Sequence, residues 1–188
     1  MSPTDISRAT IGDIDAITAI YADAVLNGTA SYELAAPSRA DMAARFDALA
    51  GGGYPYIVAR QAGQLVGYAY AGPFRPRLAY RFTVENSVYV APERKGQGIG
   101  KLLLQTLLEQ AQSLGFRQMI AVIGDGTPDS PSIRLHEALG FRHCGQIEGS
   151  GYKHGRWLDT VLMQIAMNGG AASAPDSKSW PERQFRAG

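Results

Sequence analysis

Apolar positions fall into two periods along the chain, and the change from one to the other divides it into strands and helices. Residues 5–8 read as a short first strand. Thr10 stands three residues before Asp13, a capping-box spacing with Asp in place of Glu. Ile14, Ile17, Ile20, Tyr21, Ala24 and Val25 follow at helical spacing, so a first helix is expected over about residues 11–26, ended by Asn27-Gly28. Ser38 and Asp41 repeat the cap, and Met42, Arg45, Phe46 and Leu49 continue a second helix that Gly51, Gly52 and Gly53 stop. Residues 56–59 and 65–70 alternate as strands joined by a turn at 61–64, and residues 83–90 form a longer strand ended by Pro92. A glycine-rich turn at 95–100 opens an amphipathic helix with Leu102, Leu103, Leu107, Leu108 and Ala111 on one face, closed by Gly115. Residues 118–123 are a short apolar strand, and a loop follows at 124–129. Ser130 then caps a helix with Pro131 at its first position, carrying Ile133, Leu135, His136 and Leu139 up to Gly140. Two more strands are expected near 144–147 and 158–165. The order predicts a mixed α/β sheet with one strand–helix–strand crossover at its centre.

From Asn168 the pattern fades into small residues. Trp180 and Phe185 stand without periodicity, so residues 1–167 are expected to form one domain and 168–188 a flexible tail, the alternative being an aromatic docked on the body or on a partner subunit. A length of 188 residues, 45% hydrophobic and 19% charged, fits that single globular unit. The formal net charge of +1 gives no bulk attraction for nucleic acid or an anionic membrane. No apolar run is long enough to span a bilayer, and the first residues lack the basic start and apolar core of a signal peptide. The one cysteine, Cys144, has no partner for a disulfide, and neither it nor His143 or His154 has metal-ligand spacing, so a cytoplasmic protein without a metal is expected.

The turn Lys95-Gly96-Gln97-Gly98-Ile99-Gly100 concentrates glycine between a strand and a helix. Glycine admits positive φ and lets backbone N–H groups crowd an anion, while the helix N-terminus adds unpaired donors and partial positive charge. Arg94, Lys95 and Lys101 add full charges. Two other phosphate loops do not fit: no Gly-Lys-Ser/Thr occurs, and the glycine spacing differs from GxGxxG. The plainer alternative is a tight turn with solvated basic residues.

With lysine in its first slot, that turn resembles the Q/R-x-x-G-x-G/A signature of the GNAT superfamily of acetyl-CoA-dependent N-acetyltransferases. The helix ending in Leu139-Gly140-Phe141 resembles the second signature, in the right order. Three segments, 83–90, 135–140 and 151–157, further resemble the phosphinothricin and methionine sulfoximine acetyltransferases, and the likeness spans about residues 6–166. The resemblance implies the GNAT fold, a mixed and mostly antiparallel twisted sheet flanked by helices, and a homodimer. It implies a CoA pyrophosphate on Arg94, Lys95, Gly96, Gln97, Gly98, Ile99, Gly100 and Lys101, and a pantetheine arm paired with Val88, Tyr89 and Val90. The Val90 N–H would polarise the thioester carbonyl. Asp129 stands where the superfamily often has Asn, so Ser130 or Ser132 is expected to take over that contact.

An amine nucleophile must lose a proton and a thiolate leaving group must gain one. Glu85 lies mid-strand, an unusual place for a carboxylate unless it is paired or functional. The resemblance makes it the general base; the alternative is an ion pair to a nearby arginine such as Arg81. His136 falls where many members carry tyrosine, and is either an acid for the departing sulfur or a core histidine with its hydrogen bonds met. Arg75 and Arg77 suit bidentate contact with an acceptor carboxylate or phosphinyl group. Ser87, Tyr32 and Lys153 are the other expected acceptor contacts, and for Arg75, Arg77, Tyr32 and Lys153 the alternative is a plain surface residue. The expected activity is direct acetyl transfer from acetyl-CoA to the α-amino group of a small amino-acid analogue such as phosphinothricin or methionine sulfoximine. The alternatives are another amine (an amino acid, a polyamine or a protein terminus) or a non-catalytic acyl-CoA sensor.

Overall fold

The computed structural model describes residues 3–127 and 129–187. Residues 1, 2, 128 and 188, which fall in the expected domain, the loop at 124–129 and the tail, lie outside the described residues. The elements run β1 (Thr4–Arg8), α1 (Ile14–Asn27), α2 (Arg39–Phe46), β2 (Tyr56–Gln61), β3 (Gln64–Pro73), β4 (Thr83–Val90), α3 (Ile99–Leu114), β5 (Gln118–Gly124), α4 (Pro131–Glu137), β6 (Arg142–Lys153), β7 (Arg156–Ala166) and α5 (Trp180–Ala187). Seven strands form one sheet in the order β1-β2-β3-β4-β5-β7-β6. Every neighbouring pair is antiparallel except β4 and β5, which run parallel. A parallel pair needs a crossover, and α3 supplies it.

Both expected caps are present. Thr10 and Asp13 close a capping box on a 3-10 turn that leads into α1, and Ser38 and Asp41 close another on α2. Alternation along β2, β3 and β4 sends side chains to two cores. One face carries Tyr56, Val58 and Tyr68 against Ile14, Ile17, Tyr21, Met42 and Phe46 of α1 and α2. The other carries Ile57, Ala69, Val84, Met119 and Ala121 against Leu103, Leu104, Leu107 and Leu108 of α3. Burying each of those leucines stabilises by about 1.5–3 kcal/mol, enough to fix α3, and with it the helix N-terminus, over the sheet centre.

One irregularity at the sheet centre places the site. β4 pairs with β5 only from Thr83–Asn86, against Gln118–Ala121. Beyond Asn86, β4 stays with β3 up to Val90, while β5 stays with β7 up to Gly124. The two central strands therefore part halfway along.

The structure extends the sequence reading in two places. The strands expected near 144–147 and 158–165 are the long hairpin β6–β7, turning at His154 and Gly155. Ten of the twelve residues of β6 are exposed, and its register shifts twice, so no alternation marks its length. In the segment after Asn168 an aromatic is docked on the body, the alternative to a free tail. The segment ends in α5, which begins with Trp180 packed against Tyr54 and Phe116. Its anchors are distant in sequence, so local periodicity gives no sign of it.

Candidate active site

Two features meet where β4 and β5 part: an anion cradle on the α3 side and an open cleft on the α1 side. In the cradle, Gly96 and Gly98 have φ of 77° and 80°, the left-handed region that glycine enters freely, and nothing crowds either position within 4 Å. Gly98 caps α3 without a side-chain hydrogen bond, so the first N–H groups of the helix are left for a ligand. A Cβ on Gly100 would sit 3.5 Å from the Leu135 side chain, so α4 lies directly beside the start of α3. The Nε of Arg94 is buried with no hydrogen-bond partner among the described residues. A buried guanidinium nitrogen, bare helix donors and open glycine turns together fit a phosphate-bearing group.

The strands beside the cradle supply further donors. The Ala91 N–H donates to the Val66 carbonyl at 2.9 Å, so Ala91 faces β3. Antiparallel alternation then turns the Tyr89 and Ser87 amides to β3 and those of Val90 and Val88 into the gap. Where the gap opens, Asn86 donates through Nδ2 to the Ile120 carbonyl at 3.1 Å, and its Oδ1 lies 3.0 Å from His136 Nε2. The other ring nitrogen, Nδ1, is 2.7 Å from the Ser132 carbonyl. His136 thus ties α4 to the point of divergence through Asn86. Burial pulls its pKa below the ordinary 6.5, against the Ser132 bond, which favours the charged ring. Both partners accept and Asn86 Nδ2 is committed to Ile120, so a neutral ring donates to only one of them.

The cleft lies on the opposite face of the sheet. Register places Glu85, Ser87 and Tyr89 there beside Gly72, Tyr70 and Tyr68 of β3, with Val122 of β5 across the gap. Val122 is 41% exposed although its strand is central, so this face is open to solvent. Glu85 is half-buried, and among the described residues its carboxylate has no hydrogen bond or ion pair. Burial raises its pKa above 4.5, and the nearby charge of Arg75 opposes part of that rise. The ion pair to Arg81 does not form, because Arg81 binds Glu182. The segment between α1 and α2 walls the cleft at one end. There Glu33 accepts from Tyr21 at 2.9 Å and from both terminal nitrogens of Arg45, at 2.6 and 3.3 Å.

Residues 19–141 match the Acetyltransferase (GNAT) family. The chain belongs to that family. The acetyltransferase is 48% identical over 164 residues to a phosphinothricin N-acetyltransferase of Alcaligenes faecalis, covering 87% of this chain and 83% of the relative. It is 44% identical over 164 residues to an L-methionine sulfoximine/L-methionine sulfone acetyltransferase of Pseudomonas paraeruginosa, covering 87% of this chain and 94% of the relative. The crystal structure of a phosphinothricin acetyltransferase from Sinorhizobium meliloti in complex with acetyl-CoA superposes with a TM-score of 0.92. It has 50% sequence identity and covers 97% of each chain. The resemblance read from the two signatures is thereby shown, and so are the GNAT fold and acyltransferase chemistry.

The acetyltransferase brings some of the expected site residues together and scatters others. Val88, Tyr89, Val90, Arg94, Lys95, Gly96, Gln97, Gly98, Ile99, Gly100 and Lys101 are contiguous along the gap and cradle. Asp129 is not aimed at them: its side chain is 99% exposed and pairs with Arg134 at 3.5 Å. Ser132 contributes its carbonyl to His136. Arg75 stacks its guanidinium on Phe74, 4.7 Å from the ring centroid, in the loop before β4, and Arg77 is exposed in the same loop.

Lys153 is not a surface residue. It is buried, and its Nζ donates to the Ser31 carbonyl at 2.7 Å. Burial draws its pKa down, and the charge of Glu33 works against that. Its cation is therefore engaged in holding the wall segment. Tyr32 in the same segment donates to the Asp159 carbonyl at 3.0 Å, and its ring lies over Gly124 and Gly151. A Cβ at either glycine would come within 2.8 Å of that ring, so the wall is seated on bare backbone.

Sequence reading missed Asn86, Tyr70 and the Glu33–Arg45 pair. A polar residue on the buried face of β4 was the available signal for Asn86. Glu33 and Arg45 lie 12 residues apart across a loop, with no periodicity to join them.

Proposed function

We propose that this acetyltransferase moves the acetyl group of acetyl-CoA directly to the α-amino group of a small amino-acid analogue such as phosphinothricin or methionine sulfoximine. The observation that carries the reading is Glu85: an unpaired, half-buried carboxylate with a raised pKa, on the floor of an open cleft where the central strands part. A base in that state takes a proton from an ammonium more readily than a solvated glutamate does. The relatives named above support the acceptor class.

Acetyl-CoA supplies an activated acyl group whose carbonyl carbon accepts the amine. The cradle of residues 94–101 holds its pyrophosphate, and the gap-facing N–H of Val90 or Val88 stabilises negative charge developing on the carbonyl oxygen. One preorganised donor of this kind is worth about 3 kcal/mol. Arg75 binds the carboxylate or phosphinyl end of the acceptor, with Arg77 as a second cation, and Ser87 and Tyr32 line the acceptor site. Lys153 serves by fixing the wall that carries Tyr32. His136 serves by position: its nitrogens face Ser132 and Asn86 and tie α4 to the point where the strands part. Cys144 is exposed on β6, away from the gap, which supports direct transfer without an acyl-enzyme.

The reading includes a cytoplasmic homodimer. The β6–β7 hairpin supports the second copy by exposing Ile147, Tyr152 and Trp157, the last two stacked edge to face at 5.2 Å. Sedimentation equilibrium reads that part, and a monomer at micromolar concentration contradicts it. For the chemistry, intact-mass analysis after incubation with acetyl-CoA alone is expected to show unmodified protein, and addition of phosphinothricin or methionine sulfoximine to release CoA. A stable acetylated Cys144 that passes its acetyl to the amine would overturn direct transfer.

A further inference from the structure

The segment after β7 is bound to the body by contacts that converge on the loop carrying Arg75. Asn168 Nδ2 donates to the Gln112 and Phe116 carbonyls at 2.8 and 2.9 Å, closing the C-terminal end of α3. Arg117 is buried and spends its guanidinium on this segment, donating to the Gly170 carbonyl and to the carbonyl and hydroxyl of Ser173 at 2.6–2.8 Å. Trp180 then packs against Tyr54 and Phe116, with centroids 5.0 and 5.5 Å away. Gly53 and Gly115 leave room: a Cβ on Gly53 would sit 3.1 Å from the indole, and one on Gly115 would sit 2.5 Å from Ser179.

From α5 the contacts pass into the arginine loop. Glu182, its side chain 14% exposed, accepts from Arg81 Nε and Nη2 at 3.2 and 3.1 Å. The Arg81 guanidinium also lies 4.5 Å from the ring centroids of both Phe82 and Phe185. Its Nη1 donates to the Leu78 carbonyl, and its backbone N–H closes the same 3-10 turn, Leu78–Tyr80. Tyr80 packs edge-on to Phe74 at 5.8 Å, and Phe74 bears the stacked Arg75. A continuous path of packed groups therefore joins the C-terminal helix to Arg75.

We propose that the C-terminal segment is a clasp that sets acceptor affinity: through Glu182 and Arg81 it holds the 74–82 loop so that Arg75 is already placed when the acceptor arrives. Arg81 and Glu182 are positioning residues that touch neither substrate. The inference rests on the acceptor reading above, in which Arg75 binds the anionic end of the amine. A loop that is not fixed beforehand must be ordered at each binding event, and that cost appears in acceptor affinity alone. The acetyl-CoA cradle lies at the opposite, N-terminal end of α3 and does not share the path.

The test uses full-length protein and the variants Glu182→Gln, Arg81→Lys and the charge-exchanged double variant Arg81→Glu/Glu182→Arg. Glu182→Gln is expected to raise KM for the acceptor about three- to tenfold, the cost of ordering one or two side chains on binding. KM for acetyl-CoA and kcat are expected to stay within about twofold. Arg81→Lys behaves likewise, because ammonium cannot reproduce the bidentate, stacked contact, and the double variant recovers part of the loss. An unchanged acceptor KM, or equal rises in both KM values, overturns the clasp. Amide hydrogen exchange separates this from failure of the acceptor reading. If wild type acetylates neither phosphinothricin nor methionine sulfoximine, faster exchange at Tyr80 and Arg81 in Glu182→Gln still upholds the clasp, and unchanged exchange there refutes it.

Discussion

Replacing Glu85 with Gln keeps the shape of the cleft floor and removes its carboxylate. The neighbouring groups offer no substitute. Ser87 is a hydroxyl that does not take a proton at neutral pH. Glu33 is bound by Arg45 and Tyr21, whose hydrogen bonds outweigh burial and hold its pKa below 4.5. A positioned general base contributes about 10²–10⁴-fold, and with no second base in reach kcat/KM should fall by at least the lower figure. The wild-type pH profile carries a second signature. The base acts when deprotonated, so kcat/KM rises with pH through a midpoint above 4.5, because burial raises the Glu85 pKa. Arg75 opposes that rise, so Arg75→Ala moves the midpoint further up while weakening acceptor binding. Stability moves the other way. A carboxyl whose folded pKa is raised favours folding while protonated, and that advantage is lost as pH rises through the folded pKa. Glu85→Gln is therefore expected to melt higher than wild type at neutral pH, a gain that shrinks as pH falls toward 4.5. Steady-state kinetics over pH and thermal melts of the same samples check both. A variant within threefold of wild-type kcat/KM, with the acid limb intact, refutes the assignment of Glu85 as base.

Other substitutions probe the parts that frame the reaction. Gly124→Ala puts a Cβ 2.3 Å from the Thr29 carbonyl and 2.8 Å from the Tyr32 ring. Overpacking against backbone should cost about 1–3 kcal/mol, read as a lower denaturation midpoint, and raise acceptor KM. Gly98→Ala meets no atom within 4 Å but must hold φ of 80°, so a cost of about 1–2 kcal/mol is expected with weaker acetyl-CoA binding by calorimetry. Lys153→Met leaves the Ser31 carbonyl without its buried donor, so a loss of about 1–3 kcal/mol is expected in urea titration.

The parts of this enzyme that could be read from sequence are those whose cause is local. Ser38 and Asp41 cap α2 from three residues apart, and the glycines at 96 and 98 mark their turn by the φ it requires. β4 was legible because alternation on a half-buried strand is a property of eight consecutive residues. The parting of β4 from β5 was not, since it depends on where a parallel ladder ends. Lys153 shows the limit most clearly. Glycines and aromatics around it suggest an exposed loop cation, yet the hairpin folds it onto Ser31, 122 residues away. The pairing of His136 with Asn86 spans 50 residues, and that of Arg81 with Glu182 spans 101. The helical form of α5 left no pattern in the sequence, because the helix is polar and its anchors, Trp180 and Phe185, find their partners only in the folded chain.

Transfer of acetyl from acetyl-CoA across a panel of amines, including phosphinothricin, methionine sulfoximine, ordinary amino acids, polyamines and an N-terminal peptide, tests the central claim most directly. The expected result is the highest kcat/KM on phosphinothricin or methionine sulfoximine, lost together with the Arg75 side chain. Tight acetyl-CoA binding with no acceptor in the panel acetylated would contradict it and leave a sensor in place of an enzyme.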